Sequence, residues 1–204
     1  MVFFLGGGET AVLLAALEEH LHEVARGVEE LRLRVGTDTG MSVQVFTLPA
    51  VTCCRRLCEG HTIAEKYNAM YDFYGECVRR GYRLSDEPLF TVLQRRDFLD
   101  GYITDEPYPF WVCVPVRPEK APKEAVTLPA CRALSVLYYG SYAGADEAFL
   151  RLGREVKERG LTPAGDPRVL GIVAPYTGRE IETKRYCSRL VLPVEGEAEP
   201  SFPV

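Results

Sequence analysis

The chain has 204 residues, of which 47% are hydrophobic and 26% charged, an ordinary globular balance at a length that buries a real core. It carries 24 Lys and Arg against 29 Asp and Glu, a net charge of −5, with no run of basic residues. Duplex nucleic acid is held largely by cations on phosphates, so this chain by itself is not expected to bind it.

At the N-terminus, MVFFLGGGET has no basic region and its apolar run stops at Gly6. Neither a signal peptide nor a membrane span is read there, and the expected location is cytoplasmic. Residues 9–35 contain no proline, and Leu14, Leu17, Leu21, Val24, Val28, Leu31 and Val35 recur in steps of 3 and 4. That heptad repeat predicts a long helix over residues 1–36 with a narrow apolar seam. A helix of about 27 residues is about 40 Å long, more than one small sheet requires, so the seam suits a homodimer. The alternative is an amphipathic helix lying on its own domain. Residues 36–40, GTDTG, read as a linker.

Seven cysteines follow no secreted staple pattern and are read as free thiols. Cys53, Cys54, Cys58 and His61 are close in sequence, but adjacent strand residues point to opposite faces, so no metal site is expected there.

The body is a duplication. Thr47-Leu48-Pro49-Ala50 recurs as Thr127-Leu128-Pro129-Ala130; Gly60 and Gly140 follow; Arg80-Gly81 and Arg159-Gly160 close two helical stretches. Each copy then ends on an apolar strand reading Pro-Val, VCVPV at 112–116 and LVLPV at 190–194. With Pro88 and Pro167, each after an acidic residue and seven positions past the helix-ending glycine, five landmarks in one order define a βαββ unit written twice, residues 43–116 and 125–194, hence an α+β fold with pseudo-twofold symmetry. The helices are expected from about Ile63 to Arg80 and Ala145 to Arg159, with glycine at the C′ positions. The closing strands align Trp111 with Arg189, and the helix-ending glycines align Met70 with Phe149. Residues 195–204 read as an acidic, disordered tail.

The second copy, with its Gly140-x-Tyr142 turn, Arg159-Gly160-Leu161 helix end and closing Leu192-Pro193-Val194, resembles the GyrI-like effector-binding domain of MerR-type and AraC-type regulators. The resemblance covers about residues 43–194, and the heptad helix is similar to the dimerisation helix of MerR-type regulators. The winged helix-turn-helix that precedes that helix in the family does not occur in the sequence.

The resemblance implies a small-molecule pocket between the two repeats, walled by aromatics. Its candidate residues here are Tyr67, Tyr71, Phe90, Trp111, Tyr142, Phe149, Tyr176, Tyr186 and Arg189. Tyr67, Tyr71 and Tyr74 share one face of the first helix by their spacing. Many members carry an acid where this chain has Arg189, which favours a planar neutral or anionic ligand, stacked on Trp111 and held by the guanidinium. Arg189 has the alternative of pairing with Glu180 or Glu182.

The resemblance also admits a small hydrolase and a protein-blocking module. The hydrolases use a pocket carboxylate as base, which Arg189 replaces, and His61, the one histidine of the body, reads as a surface residue. An enzyme is therefore not expected, and neither is a cofactor.

Overall fold

The computed structural model describes residues 41–100, 106–140, 145–173 and 185–196. The heptad helix of residues 1–36, most of the tail, Tyr142, Tyr176, Glu180 and Glu182 lie outside them. Among the described residues no helix is long and apolar enough to cross a membrane.

In chain order the elements are β1 (Val43–Leu48), β2 (Val51–Gly60), α1 (Ile63–Arg79), β3 (Phe90–Leu93), β4 (Tyr108–Pro115), β5 (Val126–Leu128), β6 (Cys131–Tyr139), α2 (Ala145–Glu158), β7 (Arg168–Val173) and β8 (Cys187–Pro193). Each unit is therefore ββαββ: a strand ahead of each expected βαββ corrects the reading from sequence. All eight strands join one sheet in the order β1-β6-β8-β7-β3-β4-β2-β5. Exchanging the two units reverses this list without altering it, which is the signature of a twofold relation.

The added strands are exchanged between units. β1 pairs with β6, from Val43↔Val136 to Leu48↔Cys131, and β5 pairs with β2, from Val51↔Leu128 to Cys53↔Val126. Both ladders keep one register, so the two β-hairpin-like segments run as two long antiparallel strands interrupted where they cross. The interruption falls at Pro49-Ala50 against Pro129-Ala130. A proline has no N–H to donate, so the ladder breaks there and the sheet bends back on itself. The duplicated Thr-Leu-Pro-Ala motif marks that crossing.

α1 begins at a capping box. The Thr62 side chain accepts from the Glu65 N–H at 3.2 Å, and the Glu65 carboxylate accepts from the N–H groups of Thr62 and His61, each at 3.0 Å. These bonds hold the Glu65 carboxyl down at about 2. Both helices end as expected on left-handed glycines, Gly81 at φ 72° and Gly160 at φ 60°. The Tyr82 N–H returns to the Cys77 carbonyl at 3.1 Å, and Leu161 N–H to Val156 at 2.9 Å, the same motif twice.

Strand alternation sorts side chains onto two faces. Phe110, Val112, Val114, Leu190 and Leu192 face the helices and pack with Met70, Phe73, Cys77, Phe149 and Leu152 in the main core. On the other face, Cys53 packs with Phe90 and Cys113, and Leu48 with Ala133 and Val191.

Candidate functional site

The two faces divide the aromatic residues expected to wall one pocket. Tyr67 and Tyr71 stand on α1, and Tyr71 is 40% exposed. Burial, and then the neighbouring Tyr186, raise the Tyr71 phenol above its ordinary value, so a residue of each unit meets here. Phe149 is buried in the main core.

Phe90, Trp111 and Arg189 are on the opposite face of the sheet. Phe90 is buried against Cys53 and Cys113 with Trp111 packed beside them, and Arg189 lies over the Phe46 ring at 5.6 Å. The correspondence of Trp111 with Arg189 holds in register: Trp111 stands opposite Leu57 and Val92, Arg189 opposite Leu137 and Leu170. Their placement in one cleft with the helix tyrosines is corrected. Phe110, Val112 and Leu190 take the helix-facing parity, so positions 111 and 189 turn the other way. The guanidinium of Arg55 already covers the Trp111 ring, at 4.3 Å from its centroid.

Cys53 and Cys54 do face opposite sides, and each meets a thiol there, Cys113 and Cys77 respectively. Burial pushes the Cys54 thiol up to about 12. His61 sits in the α1 cap, its Nδ1 3.7 Å from Glu65.

A larger pocket lined by both units lies elsewhere, on the helix side. It measures about 460 Å³ and is lined by Tyr74, Val114, Pro115 and the segment 84–89 of the first unit with Gly171 and Ile172 of the second. Backbone bonds hold that segment: Ser85 N–H to Pro115 at 3.1 Å, Arg117 N–H to Arg83 at 2.8 Å, and Gly171 N–H to Leu89 at 3.1 Å across the unit boundary. A bulge between Gly171 and Val173 breaks the β7–β8 register at the same place. Leu89 and Val114 form a buried apolar floor, Ile172 is 43% exposed, and the exposed carboxylates of Asp86 and Glu87 stand at the rim.

The units differ here. Counted from the helix-ending glycines, Tyr74 corresponds to Gly153, and the backbone of Leu99, from the 3-10 turn Asp97–Asp100, packs directly onto Gly153. An aromatic wall in one unit is a backbone contact in the other. Nothing in the sequence of residues 84–89 or 171–172 signals this pocket, since no motif links them and they meet only through the sheet.

Near the start of α1, the Lys66 ammonium donates to the Tyr108 hydroxyl and lies 4.6 Å from that ring's centroid. Burial, with Arg95 acting in the same direction, brings Lys66 down to about 8. The unfolded chain holds this proton up to about 10.5. Between those values the unfolded state binds more protons, so stability rises with pH; below them the folded state carries the cost. Urea unfolding is expected to show a gain of roughly 1–2 kcal/mol from pH 8 to pH 10, and Lys66→Met to flatten it.

This architecture fits the GyrI-like fold, a likeness carried by solved structures. No family model and no curated protein matches the chain. Among solved structures it is similar to the EcmrR chain in a cryo-EM structure of its DNA complex, at 14% identity and a TM-score of 0.67, covering 91% of this chain and 69% of that one. The isolated EcmrR C-terminal domain matches at 17% identity and a TM-score of 0.62, covering 76% of this chain and 97% of that one. A hydrolase from Listeria innocua matches at 12% identity and a TM-score of 0.50, with 82% and 97% covered. At these identities the likeness is one of fold.

Proposed function

We propose that the chain is the small-molecule-binding domain of a MerR-type transcriptional regulator, or a standalone relative of one, and not an enzyme. The observation that carries this reading is the pocket of about 460 Å³ shared by the two units. An apolar floor of Leu89 and Val114, a tyrosine wall and a few polar groups at the mouth suit a planar organic ligand. The charge expected of that ligand changes with the geometry. Arginines do not line this pocket; Asp86 and Glu87 do, which favours a neutral or cationic guest. Pairing with a second copy through the heptad seam of residues 9–35 belongs to the same proposal.

The test is calorimetric titration with proflavine, a planar cation, beside fluorescein, a planar anion. Proflavine is expected to bind saturably, and Ile172→Lys and Glu87→Lys, both at exposed positions, to weaken it about tenfold or more. Absence of saturable binding, or binding unchanged in both variants, sinks the reading. Turnover of an ester panel that the same variants abolish replaces it with the hydrolase reading.

A further inference from the structure

The two units do not cover their outer strands to the same length. In the second unit, β1 pairs with β6 over residues 131–136. In the first, the counterpart β5 reaches only Val51, Thr52 and Cys53 of β2. Among the described residues, 54–60 of β2 pair with β4 alone and form a sheet edge. The β2–β4 register is unbroken from Cys53 to Gly60, and the segment holds no proline. Natural sheets blunt an edge with a proline, a bulge or a cover, because a bare edge pairs with another strand.

Backbone direction alternates along this edge. The Val116 N–H donates to the Thr52 carbonyl at 2.9 Å, so even-numbered residues of β2 turn their peptide groups toward β4. Arg55, Leu57 and Glu59 therefore turn theirs outward. Their side chains share the face away from the helices, and all three are exposed, Leu57 at 52%. Leu57 stands opposite Trp111, so apolar surface runs up to the edge, and the Trp111 ring keeps the Arg55 guanidinium on this face at 4.3 Å.

The charges flank Leu57 symmetrically, a cation two residues before it and a carboxylate two residues after. When two such strands meet antiparallel with Leu57 on the twofold axis, Arg55 of each copy faces Glu59 of the other. Opposite charges directly across a ladder are favourable, and like charges are not. Moving the axis to Arg56 or Cys58 sets Leu57 against Arg55 or Glu59 and loses both charge pairs. One register is thus preferred.

We infer that this edge pairs with the same edge of a second copy of the chain, antiparallel about a twofold axis at Leu57, joining two sheets into one. The outward N–H and carbonyl groups of Arg55, Leu57 and Glu59 make the ladder, Leu57 packs on its own copy, and two Arg55–Glu59 pairs fix the register. The contact is separate from the heptad seam of residues 9–35 and from the helix-side pocket.

The test is oxidation of the full-length Leu57→Cys chain with copper phenanthroline, the links being located by peptide mapping. A hydrogen-bonded antiparallel pair stands about 5.5 Å apart at Cα, within reach of a disulfide. The 57–57 link is expected to form about fivefold or more faster than a 137–137 link in Leu137→Cys, the equivalent position of the second unit. In the Leu57→Cys background, Glu59→Arg sets arginine against arginine and is expected to slow the link about fivefold or more. Adding Arg55→Glu exchanges the charges and is expected to restore it, a dependence that pairing through the heptad seam does not produce. Linking at 57 no faster than at 137 overturns the inference. So does linking that Glu59→Arg leaves unchanged, or that the double exchange fails to restore.

Discussion

Gly153→Ala is expected to lose about 3 kcal/mol of stability, near the upper end for overpacking, because the collision is with backbone. A Cβ built at this position overlaps the Leu99 carbonyl, and α2 has no side chain there to turn aside. Relief requires the 3-10 turn Asp97–Asp100 to lift off the helix, which also breaks the Lys157–Asp100 ion pair at 2.7 Å. Gly75→Ala, in α1, is the internal control. Its new Cβ meets only the end of the flexible Arg79 side chain, at 3.2 Å, so the helix gains about 0.5–1 kcal/mol from the better former. Urea unfolding of both proteins checks the pair, and a Gly153→Ala chain as stable as wild type removes the close contact from the account.

Phe110→Ala is expected to cost about 3–5 kcal/mol, the range for a large buried ring replaced by a methyl. Phe110 is fully buried on the helix-facing side of β4, with Tyr108 edge-on at 6.5 Å between ring centroids. Its chain neighbour Trp111, half-buried on the other face under Arg55, is expected to cost less, roughly 1–2 kcal/mol, when replaced by alanine. The contrast between adjacent residues measures which face carries the main core. A larger loss at Trp111 than at Phe110 reverses the assignment of faces.

Much of this molecule was legible in its residues. The stop signals at Gly81 and Gly160 act within a few residues of chain, so helix ends follow from local chemistry alone. The duplication is legible because related segments keep their landmarks, and it pairs Trp111 with Arg189 as the strand registers do. β1 and β5 were not legible, since each is short and finds its partner only in the other unit, some eighty positions away. The side taken by Trp111 and Arg189 was hidden for another reason. β4 and β8 are apolar on both faces, so alternation says which residues share a face but leaves open which face the helices cover. Packing of Met70, Phe73, Phe149 and Leu152 decides that. The pocket likewise exists only where residues 84–89 come up against Gly171 across the unit boundary, a meeting made by long-range strand pairing.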